Sequence, residues 1–227
     1  MKKVLLYSSG MDSYLIDKLY KPDVKLFVRL HTPGNDKEYE RVTQLVKSGS
    51  IDNVEVIDYD LSKFEQPDRN YYLPLRNLHL LLLASHFGDE ICIGSVSTPP
   101  REALDNNETF AKKAEDLINY LLQDDHRQIR IVMPYTNYTK ADLLKIYLDR
   151  GGDIETAWKE SLSCFNPVNN SECLSCPSCA SKFTAFYKNG YKFNDYEIQK
   201  FMTYVGQNQS KCEYEVTKLY WTLLGEK

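Results

Sequence analysis

The 227-residue sequence has no long apolar run and no excess of positive charge. Its longest apolar candidate, residues 78–84, is far shorter than the roughly 20 residues of a membrane-spanning helix. The formal net charge is −4 and the pI is about 5.6, which argues against a protein whose main task is to grip nucleic acid. We therefore expect no membrane segment and no direct contact with nucleic acid.

Several other signals are also missing. The first residues carry no signal-peptide pattern, and the sequence contains no internal repeat, no low-complexity segment and no Walker loop of the form G-x-x-x-x-G-K-[ST]. We expect a cytoplasmic protein. The length suits one large α/β domain, or one domain with a small appendage.

Short apolar runs alternate with helical stretches along most of the chain. Buried strands are predicted at residues 4–6, 24–30, 54–58, 90–94 and 130–133. Helices are predicted at residues 12–20, 37–47, 74–87, 109–124, 140–150, 181–188, 194–205 and 213–224. Because strands separated by helices indicate βαβ units, we predict a Rossmann-like α/β fold, with a parallel five-stranded sheet and helices on both faces.

The segment after the first predicted strand consists of small and hydroxyl-bearing residues. Ser8, Ser9 and Gly10 interrupt the apolar run, and Asp12 and Ser13 suit the first turn of a helix. A strand, a small-residue loop and a helix N-terminus together bind phosphate, because backbone N–H groups and the helix dipole attract an anion. An ordinary strand–helix turn can have the same composition, so composition alone leaves both interpretations open.

Four of the six cysteines lie between residues 164 and 179, with the spacing C-x8-C-x2-C-x2-C. Four thiolates at such spacing suit Zn²⁺ in a closed tetrahedral structural site. An iron–sulfur cluster is the rival interpretation, since thiolates also ligate iron, whereas a redox pair needs only two cysteines. We predict a C-terminal helical segment stapled by zinc, with these ligands: Cys164, Cys173, Cys176 and Cys179.

The predicted helix at residues 74–87 is rich in leucine on more than half of its circumference, so we expect it to be buried. Arg76 and Asn77 lie in its first turn, where the helix dipole disfavours a cation. A solvated arginine explains this charge, and so does a nearby anionic ligand; composition favours the first. The loop at residues 95–107 is too long for a simple connection and is a candidate ligand-binding loop.

The order of these motifs resembles a known family. Residues 8–13, with the sequence S-S-G-M-D-S, resemble the S-G-G-x-D-S signature of the PP-loop ATP pyrophosphatases, and Ser9 replaces the first glycine of that signature. A serine at this position either keeps a negative φ or tolerates strain. Together with P-L-R-N at residues 74–77, T-K-A-D-L at residues 139–143 and the cysteine cluster, the chain resembles the 7-cyano-7-deazaguanine synthase family over residues 1–190.

The resemblance implies ATP-dependent conversion of 7-carboxy-7-deazaguanine and ammonia into 7-cyano-7-deazaguanine, for queuosine or for a modified DNA base. The implied cofactors are ATP, Mg²⁺ and Zn²⁺. It also implies a PP-loop ATP pyrophosphatase domain at residues 1–155 and a zinc-binding helical region at residues 156–227 packed on it. A chain of this family can form a homodimer. If a phage encodes the chain, it would act in the host cytoplasm.

The resemblance also assigns roles to individual residues. The nucleotide-binding residues are Tyr7, Ser8, Ser9, Gly10, Met11, Asp12 and Ser13. The catalytic candidates are Asp12, Arg76 and Lys140. The substrate-binding candidates are Arg76, Asn77, Arg101 and Asp105.

Other outcomes stay open. The loop at residues 95–107 departs from the family's pattern, so the reaction stopping at the amide, 7-amido-7-deazaguanine, is one alternative. A PP-loop enzyme that thiolates tRNA would share the adenylation step but would act on a nucleoside carbonyl. A further alternative is a zinc-stapled interaction module that has lost catalysis. Ser9 and the altered loop at residues 95–107 would then be remnants of the lost activity. Release of pyrophosphate from ATP separates this module from the enzymes.

Overall fold

A parallel sheet organises the first part of the chain in this computed structural model, which describes residues 1–69, 72–97, 104–164, 166–167 and 171–225. Its strands, in the spatial order β3-β2-β1-β4-β5, are β1 (Lys3–Leu6), β2 (Val24–Arg29), β3 (Val54–Asp58), β4 (Glu90–Cys92) and β5 (Arg130–Val132). All the pairings between neighbouring strands are parallel. The predicted five-stranded parallel sheet is confirmed, with β2, β4 and β5 ending one or two residues earlier than predicted.

Helices cover both faces of the sheet and continue beyond it. In the described residues they are α1 (Met11–Tyr20), α2 (Pro33–Lys47), α3 (Arg76–Ala84), α4 (Glu108–Leu121), α5 (Lys140–Asp149), α6 (Ile154–Glu160), α7 (Pro177–Lys188), α8 (Asp195–Asn208) and α9 (Tyr214–Leu223). Short 3₁₀ turns lie at Ser62–Phe64, Pro67–Arg69 and Gln209–Lys211. Within the described parts of the chain, no helix has the length and apolar character needed to cross a bilayer.

Alternating side chains of the central strands fill two separate cores, because successive residues of a strand point to opposite faces. Leu5 and Phe27 pack with α1, α2 and α5 on one face. Val4 and Leu26 pack with α3 and α4 on the other face. A third apolar cluster joins α7, α8 and α9 to the cysteine-rich segment, with Phe183 and Phe201 fully buried in it.

Proline explains two helix boundaries that the sequence analysis placed too late. Helix α2 begins at Pro33, four residues before its predicted start, and α7 begins at Pro177 inside the cysteine cluster. Proline suits the first helical position, since its φ is preset and its missing N–H would have no partner there. The short helix α6 was not predicted; it is capped by Asp153, whose side chain accepts a hydrogen bond from the Thr156 N–H at 2.7 Å.

Helix α3 is shorter and less buried than predicted. It spans Arg76–Ala84 rather than residues 74–87, and the predicted burial holds for only part of it, with Asn77, Leu81 and Ala84 buried. Leu81 is fully buried, but Leu75 is 61% exposed and Leu82 is 36% exposed. Leu75 precedes the helix with φ at +59° and lies outside the core that Leu81 fills.

Candidate active site and metal centre

The candidate site lies where the strand order of the sheet reverses. Helix α1 follows β1 on one face and α4 follows β4 on the other, so a crevice opens outside the carboxyl ends of these neighbouring strands. Gly94 brings the chain after β4 close to α1: a Cβ at this position would lie 3.4 Å from Ile16 Cδ1 and 3.8 Å from Ser13 Cα. The end of β4 therefore adjoins the first turn of α1.

Residues 7–13 form a tight turn between β1 and α1. Ser13 Oγ accepts a hydrogen bond from the Ser8 N–H at 3.2 Å and donates one to the Gly10 carbonyl at 3.1 Å. Ser9 has a φ of +61°, in the left-handed region that residues other than glycine seldom adopt. Of the two conformations open to this serine, the structure has the strained one, whose cost is of order 1–3 kcal/mol. The serine thus keeps the turn that glycine would form without strain.

The side chains of the turn divide into buried and accessible groups. Tyr7, Ser9 and Met11 are 3%, 0% and 1% exposed, so their backbone rather than their side chains would face a ligand. The Tyr7 hydroxyl and Ser9 Oγ are buried without a hydrogen-bond partner among the described residues. Burial raises the pKa of the Tyr7 hydroxyl well above its usual range, so this hydroxyl stays neutral. Ser8, Gly10 and Asp12 remain partly exposed on the side of the crevice.

An ion pair joins the turn to the start of α5. Lys140 Nζ contacts Asp12 Oδ2, with the two side chains 19% and 22% exposed. A capping box precedes this helix: Thr139 Oγ1 accepts from the Asp142 N–H at 3.2 Å, and the Asp142 carboxylate accepts from the Thr139 N–H at 3.0 Å. This capping box fixes Lys140 as the first residue of α5. Asp12 Oδ1 is buried and has no hydrogen-bond partner among the described residues. One carboxylate oxygen therefore holds Lys140, and the other is available to a cation such as Mg²⁺.

Arg76 lies in the first turn of α3, as predicted, although the helix begins at this residue rather than at residue 74, and its side chain is exposed. It forms no salt bridge with any residue that the structure describes; its Nε lies 3.4 Å from Asn77 Oδ1. Desolvation raises the pKa of the Glu38 carboxyl to about 7, and the positive charge of Arg76 opposes that rise. The guanidinium of Arg76 is therefore free to bind an anion, and its positive charge acts on the carboxyl group of Glu38.

Asn77 lies beneath the end of the candidate ligand-binding loop. It is 9% exposed, and its Nδ2 donates to the Asp105 carbonyl at 2.7 Å. This bond brings the P-L-R-N segment and Asp105 together, while contact of either residue with a substrate stays a prediction. Arg101, the remaining substrate-binding candidate, lies outside the described residues.

The four clustered cysteines form a compact cage. Their Sγ atoms lie within 4.8 Å of one another, and the sulfurs of Cys173 and Cys179 are 3.8 Å apart. A tetrahedral site with Zn–S bonds of about 2.3 Å has sulfur–sulfur edges of about 3.8 Å. Cys164, Cys176 and Cys179 are at most 8% exposed, so the cage is closed to solvent on most sides. Thiolate chemistry, spacing and burial all fit a structural metal such as zinc.

Two functional candidates were missed by the sequence analysis. Glu38 carries no motif, and its raised pKa arises only from tertiary burial. Ser163 accepts a hydrogen bond from the Met11 N–H at 3.0 Å, across 152 positions of sequence. Its place beside the metal-ligand candidate Cys164 was the only signal, and no spacing rule links it to the turn.

The sheet, the turn at its crossover point and the cysteine cage together define an α/β protein with a candidate phosphate site and a candidate metal centre. A family model described as Queuosine biosynthesis protein QueC matches residues 34–190. The match covers more than half of the chain, and the chain belongs to this family. The matched range begins after the turn at residues 7–13, so the turn is characterised by its own geometry.

Curated relatives extend over most of the chain and carry the name 7-cyano-7-deazaguanine synthase. The protein of Archaeoglobus fulgidus is 25% identical over 220 residues, which cover 85% of this chain and 88% of the relative. The protein of Nitratiruptor sp. is 26% identical over 219 residues, with 85% and 96% covered. The protein of Methanospirillum hungatei is 26% identical over 220 residues, with 84% and 96% covered.

Proposed function

We propose that this chain makes 7-cyano-7-deazaguanine from 7-carboxy-7-deazaguanine and ammonia, with ATP consumed in two successive adenylation steps. The name of the relatives and the family membership support the product. The observation that carries the proposal is the Asp12–Lys140 ion pair, which sets a carboxylate and a cation beside the first turn of α1. The proposal places ATP at residues 7–13 and the acid substrate beside Arg76.

The proposed chemistry solves a leaving-group problem. Ammonia cannot displace oxide from a carboxylate, so a carboxylate oxygen first attacks the α-phosphorus of ATP and pyrophosphate leaves. Ammonia then attacks the acyl carbon, and AMP departs with that oxygen, which leaves the amide and a proton. In the second round the amide oxygen attacks another ATP, pyrophosphate leaves, and loss of AMP and protons gives the nitrile. Each step builds charge on phosphate, so the protein mainly supplies positioning and electrostatic stabilisation.

On the phosphate side, the hydroxyls of Ser8 and Ser13 and the backbone N–H groups at the start of α1 would bind pyrophosphate. Lys140 would turn from Asp12 to the phosphates as negative charge develops. Asp12 would hold Mg²⁺ through Oδ1, the buried oxygen without a protein partner. The metal would neutralise phosphate charge and hold the phosphates in line for displacement.

On the substrate side, Arg76 would bind the carboxylate of 7-carboxy-7-deazaguanine, since a guanidinium grips a carboxylate through two parallel hydrogen bonds. Asn77 would support this grip through its bond to the Asp105 backbone. Arg101 and Asp105 complete the proposed substrate contacts.

The cysteine cage would hold one structural Zn²⁺ and act in folding rather than in the reaction. We retain residues 1–155 as the ATP-binding domain and residues 156–227 as the zinc region packed on it. Helices α8 and α9 pack in the apolar cluster around the cysteines, while Ala185 and Phe186 of α7 join one core of the sheet. The proposed partners are small molecules only, in the cytoplasm, with a homodimer as an open possibility.

Mass spectrometry of the products tests the proposal. Purified protein with 7-carboxy-7-deazaguanine, ATP, Mg²⁺ and ammonium should yield the nitrile, AMP and pyrophosphate. Accumulation of the amide alone would replace the proposal with the amide-forming alternative. Absence of any substrate-dependent pyrophosphate would contradict the enzymatic function and favour the interaction module, whereas release that requires tRNA and a sulfur donor would favour the thiolating enzyme.

A further inference from the structure

Residues 161–163 contact the phosphate-binding turn on both sides of Gly10. The Leu162 N–H donates to the Ser9 carbonyl at 2.9 Å, and Ser163 Oγ accepts from the Met11 N–H at 3.0 Å. Because Ser9 is held in a strained left-handed conformation, the turn needs outside contacts to keep its shape. These two hydrogen bonds, to the residues that flank Gly10, are such contacts.

The bond to Ser163 also decides which amides remain for an anion. Helix α1 begins at Met11, and the Tyr14 N–H already donates to the Gly10 carbonyl at 2.9 Å. With the Met11 N–H bound to Ser163, the N–H groups of Asp12 and Ser13 are left; they donate to no residue that the structure describes. The first turn of α1 therefore presents a fixed pair of donors toward the crevice.

A buried ion pair holds residues 161–163 from the other side. Lys182 is fully buried, and its Nζ donates to the Trp158 carbonyl at 3.0 Å and to the Ser161 carbonyl at 2.6 Å. It also pairs with Glu172 Oε1 at 2.8 Å, and the same oxygen accepts from the Ser163 N–H at 2.9 Å. The Lys182 ammonium and one carboxylate oxygen of Glu172 are thus hydrogen-bonded to backbone groups of residues 158–163.

The same ion pair reaches the cysteine cage. Glu172 precedes Cys173 in the chain, and Glu172 Oε2 lies 3.0 Å from Cys179 Sγ. Lys182 lies on α7, within one turn of Cys179. A buried ion pair adds little stability compared with an apolar pair of similar shape. The contacts of Lys182 and Glu172 therefore indicate that this pair positions residues 161–163.

We propose that Ser163 is a positioning residue for the phosphate-binding turn, and that the cysteine cage sets its place through Glu172 and Lys182. This inference rests on the proposed nucleotide-binding function of the turn. Metal bound at the cage would then order a binding turn that contains none of the metal ligands.

Hydrogen exchange at the turn tests the proposal without any turnover. Ser163→Ala should speed exchange of the Met11 amide by about fivefold or more, the effect of one lost hydrogen bond, at unchanged zinc content. Ser163→Thr, which keeps the hydroxyl, should restore slow exchange. Lys182→Met and Glu172→Gln should speed exchange of the same amide. Slow, wild-type exchange in Ser163→Ala would overturn the proposal.

A matched lysine on the same helix provides the control. Lys188 on α7 pairs with Glu215 on α9 and touches neither the turn nor the cage. Lys188→Met should leave exchange of the Met11 amide unchanged. If it speeds exchange as much as Lys182→Met does, general loosening of α7 explains the effect, and the specific connection is wrong. Mild chelation of the wild type should speed exchange at the turn, and it should add little in Ser163→Ala.

Kinetics separates the failure of this inference from the failure of the proposed function. In Ser163→Ala, the KM for ATP in pyrophosphate release should rise about fivefold or more, while the KM for the acid substrate should stay unchanged. A wild type that releases no pyrophosphate, with exchange behaving as expected, would remove the proposed function and leave the positioning role standing. Normal ATP kinetics and normal exchange in Ser163→Ala would remove the positioning role alone.

Discussion

The turn at residues 7–13 and the P-L-R-N segment each hold one residue in a left-handed conformation. Ser9 has a φ of +61° and is fully buried, whereas Leu75 has a φ of +59° and is 61% exposed. The turn around Ser9 is held by Ser13, Leu162 and Ser163. Among the described residues, the segment around Leu75 has one hydrogen bond to a distant part of the chain, from Asn77 to the Asp105 carbonyl.

This difference indicates that the turn and the P-L-R-N segment have different tasks within the candidate site. A turn with many hydrogen bonds is preorganised, so it can bind phosphate without ordering cost at the moment of binding. The P-L-R-N segment, with one such hydrogen bond and an exposed arginine, should become ordered when its ligand binds. Changes at the turn should therefore affect catalysis and ATP binding, and changes at the segment should affect the acid substrate.

The largest expected effect on activity follows from Asp12. Asp12→Asn removes the charge that pairs with Lys140 and the proposed Mg²⁺ ligand, so substrate-dependent pyrophosphate release should fall by about a hundredfold or more. The melting temperature should stay close to that of the wild type, since both side chains lie at the rim of the crevice. Asp149→Asn, in the exposed Lys145–Asp149 pair of the same helix as Lys140, is the matched control. Equal losses in the two variants would contradict a special role for Asp12.

The largest expected effect on stability follows from the cage. Cys176→Ala removes one of four thiolates, and the variant should lose its zinc and melt about 10 °C lower or more, at about 2–4 °C per kcal/mol for a chain of this size. Cys212→Ala, a cysteine outside the cage, should change neither. Metal analysis beside a melting curve provides the check; iron with inorganic sulfide in the wild type would instead establish the rival cluster.

A tenfold effect is expected at Arg76. Arg76→Lys keeps the charge but loses the two-pronged grip on a carboxylate, so kcat/KM for the acid substrate should fall about tenfold while the KM for ATP stays constant. The exposed side chain should contribute little to stability, so the melting temperature should not move. Unchanged kinetics would mean that Arg76 is merely solvated and would remove it from the site.

A smaller effect should appear as a pH dependence at Glu38. Burial raises the pKa of this carboxyl to about 7, so its ionisation between about pH 5 and pH 8 disfavours the folded state. Glu38→Gln removes that cost, and its gain in free energy of unfolding over the wild type should grow from pH 5 to pH 8. Ionised Glu38 also competes for Arg76, so the KM of the acid substrate should rise above pH 7 in the wild type but not in the variant. Parallel pH profiles for both proteins would contradict this assignment.

The smallest effects should come from relieving the two strained residues. Glycine adopts a positive φ without strain but loses more backbone entropy on folding, so Ser9→Gly should change stability by no more than about 1 kcal/mol. Activity should stay at the wild-type level, because the buried Ser9 side chain makes no contact with the crevice. Leu75→Gly should raise the KM of the acid substrate, since the segment has few other constraints. If Ser9→Gly proves the more damaging of the two, the comparison between turn and segment fails.

Local patterns explain what the sequence predicted correctly. Apolar runs around Val4 and Leu26 identified buried strands, and the helical stretch at residues 140–150 placed Lys140 at the start of α5. The spacing of the four cysteines predicted a cage whose sulfurs the structure brings together. Each of these signals lies within a few residues of the feature it predicts.

The features that escaped prediction depend on contacts between distant parts of the chain. Asp12 and Lys140 are 128 positions apart, and Met11 and Ser163 are 152 apart, so no periodicity or spacing connects them. The exposure of Leu75 depends on a positive φ that composition does not reveal. Lys182 reads as an ordinary helical lysine until the fold buries it completely.

The central claim, adenylation of the substrate carboxylate, can be tested directly with an isotope. 7-Carboxy-7-deazaguanine labelled with ¹⁸O in both carboxylate oxygens is incubated with the protein, ATP, Mg²⁺ and ammonium. The masses of the products are then measured by mass spectrometry. Adenylation predicts one ¹⁸O atom in each AMP and none in pyrophosphate, with an unlabelled nitrile. Label in inorganic phosphate, with ADP as the nucleotide product, would show that the carboxylate is activated by phosphorylation and not by adenylation.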